Sequence, residues 1–320
     1  HFGAPVAIAV LLAAVLAGVH GTDVFGALGI DGLRSWDDGL PDVHLTSPPE
    51  PPRQYRPVVI MHGLGSAGND TKMQHLAASV RAKYPGAYAV ALDVADSALS
   101  YVLPVAEQVE RFAAAVRSDP NLKDGFNAVG SSQGGLVVRG YIERYNDPPV
   151  HTFITLCSPH QGVGSCPALV PEVICKLFEL DPYLLPLSFT GYWKDVTRRW
   201  LYLEDSSYLA DINNARTTKN ELYKARFAGL DKLVLVMALN DTVVYPKESA
   251  QFGFWEWGKP GTLMSLRQTQ DYKEDWIGLR TLDEAGRVHL HQFEGGHVGF
   301  SNQFWNDVVL PYLNDTVDGL

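Results

Sequence analysis

Phe126-Asn127-Ala128-Val129-Gly130-Ser131-Ser132-Gln133-Gly134-Gly135 is the stretch on which the reading of this chain turns. Phe126 to Val129 is a short strand-type run, and Gly135 to Tyr145 is compatible with a helix. Between them Gly130-Ser131-Ser132-Gln133-Gly134 has the spacing G-x-S-x-G. A serine presented on a sharp strand-to-helix turn needs residues without side chains two before and two after it, because a Cβ there collides with neighbouring backbone. Ser132 has glycine at both offsets and Ser131 does not. The plainer reading is a glycine-rich turn of no chemical consequence. A base and an acid farther along the chain would separate the two.

Working outward, Val58 to Met61 (VVIM), Ala87 to Leu92, Thr152 to Leu156, Leu233 to Ala238 and Val288 to Phe293 form further short, mostly apolar runs. Such runs are expected of strands buried on both faces of a parallel sheet. Helical periods lie between them. Val105, Val109, Phe112, Ala113 and Val116 fall at i, i+4, i+7, i+8 and i+11, and Asp119-Pro120 ends the period. Strand alternating with helix predicts an α/β fold with a mostly parallel central sheet. The alternation breaks between Ser165 and Leu230, a stretch rich in Tyr, Trp and Leu that ends in a helical-looking run from Tyr208 to Phe227. An insertion this long and aromatic predicts a helical cap whose apolar faces line a pocket. The competing reading is that it only adds core.

A serine hydroxyl is a weak nucleophile at neutral pH, so a base and a group to orient that base must accompany it. In α/β-hydrolases these follow in the order Ser, acid, His, on loops after later strands. Leu239-Asn240-Asp241-Thr242 follows the run Leu233 to Ala238 and places Asp241 at the end of a strand. Glu294-Gly295-Gly296-His297 follows Val288 to Phe293 and places His297 in a glycine loop. His62, His75, His151 and His160 precede the acid, while His289 and His291 alternate within a strand. The candidate triad is therefore Ser132, Asp241 and His297. Two backbone N–H groups should hold the oxyanion. The amide of Gln133 follows the nucleophile, and the loop His62-Gly63-Leu64-Gly65 after the first strand supplies the second, assigned to Leu64 with Gly63 as its rival.

Composition limits the alternatives. With 26 Lys plus Arg against 36 Asp plus Glu, the net charge of the 320 residues is −10, which disfavours binding a phosphate backbone. Hydrophobic residues at 46% exclude a disordered chain. Three cysteines without a CxxC pair lack the spacing of a structural zinc site, and no metal is expected. Ala4 to Val19 is 16 residues without a charge, short for a membrane span and similar to the apolar part of a secretory signal. An anchor giving membrane contact and an ordinary buried helix are the other readings of that segment. Ser47 to Pro57 holds five prolines in 11 residues and reads as a linker. The expected organisation is a signal-like or anchor segment over 1–22, an extension over 23–57, and an α/β-hydrolase domain over 58–320 with a cap at about 165–230.

Taken together, HGLG, GSSQGG, HQGV, YLADIN, LNDTVVYP and EGGHVGFS resemble the palmitoyl-protein thioesterase family over roughly Val58 to Leu313. The resemblance puts the family's nucleophile on Ser132, its acid on Asp241 and its base on His297. It implies hydrolysis of the thioester between a long-chain fatty acyl group and a protein cysteine, in the lysosome or secretory pathway, without a cofactor. It also implies a disulfide between Cys166 and Cys175, leaving Cys157 as the unpaired thiol. Where the family tends to have an aromatic residue, an acidic residue and a small residue, this chain has Ser131, Gly296 and Cys157. Three Asn-Asp-Thr sequons, at Asn69, Asn240 and Asn314, would suit an exported glycoprotein, with Asn240 and Asn314 expected to be used. A thiol leaves more readily than an alcohol or amine because its pKa is only about 8.5. An apolar groove gains about 0.8 kcal/mol for each methylene it buries. A lipase or carboxylester hydrolase acting on lipid or acyl-CoA would use the same triad and groove, and a non-catalytic acyl-binding protein would keep the fold alone.

Overall fold

Strands form where the apolar runs lie. In a computed structural model, the described residues are 55–165, 176, 183 and 187–316. Ala4 to Val19, Cys166 and Cys175 lie outside them. β1 (Val58–Met61), β2 (Ala89–Leu92), β3 (Phe126–Ser131), β4 (Val150–Leu156), β5 (Lys232–Ala238) and a later strand over Val288–Phe293 build one sheet. Its order is β2-β1-β3-β4-β5 followed by the Val288–Phe293 strand, and every neighbouring pair is parallel.

Parallel neighbours need crossovers, and helices supply them. α1 (Thr71–Lys83) links β1 to β2, while α2 (Leu99–Val102) and α3 (Val105–Ser118) lie between β2 and β3. α4 (Gln133–Arg144) links β3 to β4. Because side chains alternate along a strand, each strand feeds two cores. Val59, Met61, Phe153 and Leu235 pack with Val109 and Phe112 of α3 and Leu136 of α4. On the opposite face Val58, Ile60, Ile154 and Val236 pack with Leu76 and Val80 of α1 and with Trp305 near the C-terminus.

Between β4 and β5 lie α5 (Arg199–Asp205), α6 (Leu209–Ile212) and α7 (Glu221–Ala228). The single helical run expected over Tyr208 to Phe227 is thus two helices. Asn214 breaks it in a left-handed conformation at φ 51°, with its side chain bonded to the Asn220 backbone at both N–H and C=O. Asn220 then caps α7 by accepting from the N–H groups of Leu222 and Tyr223. Short polar side chains that satisfy nearby backbone compete with helix, and here they win.

After β5 the chain makes a hairpin of β6 (Phe254–Glu256) and β7 (Lys259–Met264). Two short helices follow, α8 (Gln270–Lys273) and α9 (Leu279–Glu284), and then the sheet's last strand, β8 (Val288–Phe293). His289 and His291 lie on one side of β8 against the Tyr312 ring, as strand side chains. No helix among the described residues is long and apolar enough to cross a membrane.

Candidate active site

Ser132 sits between β3 and α4 with φ 51° and ψ −123°, a conformation that costs a non-glycine residue energy. The glycines around it explain how the turn closes. A Cβ on Gly130 would come within 2.4 Å of the Gly135 Cα, and one on Gly134 within 2.3 Å of the His62 carbonyl oxygen. The turn is pinned by the Ser132 N–H donating to the Leu156 C=O at 2.8 Å.

Strands β5 and β8 are neighbours in register, Ala238 opposite Phe293, so the loops after them leave the sheet side by side. The N–H groups of Leu239 and Asn240 donate to the carbonyls of Phe293 and Gly295 and tie the loops together. That juxtaposition brings Asp241 to His297. The Asp241 Oδ2 accepts from His297 Nδ1 at 2.7 Å, and His297 Nε2 lies 2.8 Å from the Ser132 Oγ. With Nδ1 donating to the carboxylate, Nε2 is the nitrogen free to accept the serine hydrogen. Oδ1 of Asp241 accepts from the N–H groups of Val243 and Val244, both at 2.9 Å, so the buried carboxylate is fixed before it meets the histidine. Ser131, the rival serine, is buried beside Ser132 and takes no part in this chain of bonds.

The first-strand loop lies against the same serine. A Cβ on Gly63 would sit 2.9 Å from the Ser131 carbonyl oxygen and 3.0 Å from the Ser132 Cβ, which accounts for glycine there. The loop is held by the Gly65 N–H donating to Ser100 Oγ and the Ser66 N–H to the Gly63 C=O. His62 is buried, with Nδ1 3.0 Å from the Gly63 carbonyl, a structural role. The N–H groups of Leu64 and Gln133 donate to no acceptor among the described residues, which leaves both for a ligand.

Sequence reasoning missed what the Gln133 side chain does. Buried, its Nε2 donates to the Ser100 C=O and to Gln108 Oε1, each at 3.2 Å, while its Oε1 accepts from the Tyr192 hydroxyl at 3.0 Å. Helices α2 and α3 and the insertion therefore converge on the residue after Ser132.

A cavity of about 250 Å³ opens on Ser132 and His297. Its apolar wall comes from Leu64, Met73, Tyr101, Val163, Val243 and Val244, with Lys72 and Asp70 also lining it. The sequence led to the expectation that the aromatic residues between Ser165 and Leu230 make the groove, and 166–175, 177–182 and 184–186 of that stretch lie outside the described residues. Among the described residues of that stretch only Tyr192 lines the cavity. Phe189, Trp193, Tyr202, Tyr208 and Phe227 are buried in the core around α3 and α4 instead. Tyr208 shows why. Its hydroxyl donates to the Leu136 carbonyl of α4, over Gly140, where a Cβ would lie 2.1 Å from that hydroxyl. A residue that sequence reasoning passed over, Lys72, donates to the carbonyl of Val298 and lies 4.6 Å from the Phe300 ring centroid, clamping the loop that carries His297.

Cys157 is buried and free, with φ 55°. Its Sγ and ligand atoms of Asp241 and His297 lie within 4.8 Å of one another, the spacing of a metal site. The hydrogen bonds already made by Asp241 and His297 occupy that donor set, and burial pushes the Cys157 thiol up to about 12, whereas a metal needs the thiolate. Asn69, Asn240 and Asn314 are all exposed.

The chain is similar to known proteins along most of its length. Residues 57–297 match the family model described as palmitoyl protein thioesterase. The chain is 35% identical over 270 residues to palmitoyl-protein thioesterase 3 of Dictyostelium discoideum, covering 81% of this chain and 93% of that one. It is 32% identical over 273 residues to palmitoyl-protein thioesterase 1 of Caenorhabditis elegans, covering 80% and 91%. To the human lysosomal thioesterase PPT2 it is 31% identical over 258 residues, covering 78% and 84%. With a strand-to-helix serine turn, a parallel sheet and these relatives, the chain belongs to the palmitoyl protein thioesterase family of thioester hydrolases.

Proposed function

We propose that the protein releases long-chain fatty acids, palmitate among them, from the cysteines of S-acylated proteins, with Ser132 as nucleophile, His297 as general base and Asp241 as its orienting acid. The observation that carries this reading is the continuous run of hydrogen bonds from Ser132 Oγ through the His297 ring to the buried Asp241 carboxylate. His297 Nε2 takes the hydroxyl proton as Oγ attacks the thioester carbonyl carbon. The N–H groups of Leu64 and Gln133 donate to the oxyanion of the tetrahedral intermediate. The C–S bond then breaks, the cysteine sulfur leaves with the proton returned by His297, and the acyl group stays on Ser132. Water adds to that ester with its proton passing to Nε2, the C–Oγ bond breaks as Nε2 returns the proton to Oγ, and the free acid departs.

The cavity beside Ser132 takes the acyl chain, whose first methylenes meet Val243, Val244, Leu64 and Met73. Burial of those methylenes supplies binding free energy, about 0.8 kcal/mol each. The working unit is residues 58–320, with the insertion after β4 bracing Gln133 through Tyr192. A lysosomal or secretory location suits the names of the relatives and the exposure of Asn240 and Asn314, taken as glycosylated, and such a compartment would permit a Cys166–Cys175 disulfide. A purified chain given a palmitoylated cysteine peptide and the matching O-palmitoyl serine peptide tests the substrate class. Preference for the thioester supports the reading, and equal rates on both would favour a general carboxylester hydrolase.

A further inference from the structure

A second cavity lies apart from Ser132, and two buried polar groups in its wall have unused hydrogen-bonding capacity. Lys194 is 7% exposed and Asn213 3% exposed. Both line a cleft of about 40 Å³ together with Arg199, Gln270, Trp255 and Trp276. The Lys194 Nζ donates to Gln161 Oε1 at 2.5 Å and to no other hydrogen-bond acceptor among the described residues, although it can donate three hydrogen bonds. Asn213 donates through Nδ2 to the Tyr202 hydroxyl at 3.2 Å, while its Oδ1 is buried with no donor. Buried groups left in this condition are costly and call for an occupant.

The charge of the cleft is specific. Lys194 and Arg199 are two cations, against one carboxylate, Asp271. Asp271 accepts from Gln161 Nε2 and so turns Gln161 Oε1 toward Lys194. The wall is positive in a chain whose net charge is −10. Aromatic rings also neighbour the ammonium, with the centroids of Phe254 and Trp257 at 4.7 and 5.2 Å. Arg199 stacks over the same Trp257 at 5.5 Å.

We propose that this cleft binds a compact carboxylate bearing an adjacent O–H or N–H: the carboxylate lies against Lys194 and Arg199, and the donor meets Asn213 Oδ1. A small hydroxy acid and the C-terminus of a peptide both present that chemistry. The site is separate from the acyl cavity yet shares a wall with it. Pro159 and Val163 face the acyl cavity while Gln161, between them, faces the cleft, and Tyr192 and Lys194 divide in the same way. The two strips are bonded, Val163 N–H to the Tyr192 C=O at 3.0 Å and Lys194 N–H to the Val163 C=O at 2.9 Å. An occupant therefore bears on the strip that lines the acyl cavity, whatever reaction Ser132 performs.

Calorimetric titration of the whole chain, and of its Ser132→Ala form, with glycolate, N-acetylglycine and acetate tests the proposal. Saturable binding of glycolate or N-acetylglycine at about millimolar concentration, at least tenfold weaker for acetate, is expected in both forms. Glycolate alone identifies the hydroxy acid as the source, and N-acetylglycine alone the peptide terminus. Lys194→Met should abolish binding. Arg199→Gln, at the exposed rim, should weaken it at least threefold and provides the test if Lys194→Met does not fold. No saturable heat with any probe, meaning a cleft that holds water only, overturns the proposal, as does acetate binding as tightly as glycolate or binding unchanged in Arg199→Gln.

Discussion

The Tyr192 hydroxyl donates to the side chain of Gln133, the residue after Ser132, at 3.0 Å, so the segment inserted between β4 and β5 is bonded to the turn that presents the serine. Among the described residues Tyr192 is the sole donor to Gln133 Oε1, and both side chains are buried. Tyr192→Phe leaves that oxygen unsatisfied and should destabilise the fold by about 1–3 kcal/mol, measured by urea unfolding. It should also lower kcat, because the Gln133 amide loses one of its anchors. Unchanged stability would show that the bond contributes nothing.

His160 gives a stability that depends on pH. It is fully buried, stacked on Phe252 with ring centroids 4.6 Å apart, and neither ring nitrogen has a hydrogen-bond partner among the described residues. Burial first, and then the nearby Arg139 charge, hold its pKa well below the ordinary 6.5. The unfolded chain binds a proton at His160 as pH falls through about 6.5 while the folded chain does not, so stability is present above that pH and is lost below it. Between pH 7 and pH 5 the loss from this one group is at most about 2 kcal/mol. His160→Phe keeps the stacking and removes the titration. The stability gap between variant and parent, from urea curves at the two pH values, should move by up to that amount in favour of the variant at pH 5. A gap that does not change with pH would contradict the assignment.

Asp241 accepts from Val243 and Val244 on one oxygen and from His297 on the other. Asp241→Asn preserves the size but presents an amide to Nδ1, which favours the imidazole tautomer with its hydrogen on Nε2, facing the serine. Such a change should reduce kcat by roughly 10³- to 10⁴-fold with KM little altered. Steady-state kinetics on a palmitoyl thioester checks it, and a loss under tenfold would mean that Asp241 does not orient the base.

Lys72 holds the His297 loop by donating to the Val298 carbonyl, and Val298 itself is left-handed at φ 46°. Removing the clamp with Lys72→Met should lower kcat about tenfold, on the scale of one lost charge-assisted bond. Lys72→Arg should recover part of it. Full activity in Lys72→Met would show the loop to be fixed by its other bonds.

The strands were legible because Val58 to Met61 or Leu233 to Ala238 can be buried only in a sheet covered on both faces. The serine turn was legible because glycine at two fixed offsets is a steric demand, and chain order then nominated two residues that adjacent strands β5 and β8 bring within hydrogen-bonding distance of one another. The insertion was less so. Composition records that Phe189, Trp193 and Tyr208 are apolar, not whether they face a groove or the core, and α4 offered the better partner through Gly140 and Leu136. The helical period over Tyr208 to Phe227 concealed Asn214, whose side-chain bonds outweigh helix propensity. Contacts such as Lys72 to Val298 join residues more than two hundred positions apart and leave no local pattern to read.

The central claim is that Ser132 carries the acyl group between two steps. Rapid quenching of the chain with a palmitoylated cysteine peptide, followed by mass spectrometry of its proteolytic fragments, tests it most directly. The account predicts a palmitoyl adduct on the fragment holding Ser132, formed at the rate of first thiol release and absent from Ser132→Ala. Thiol release by Ser132→Ala at the parent rate, or an adduct on another residue, would contradict it.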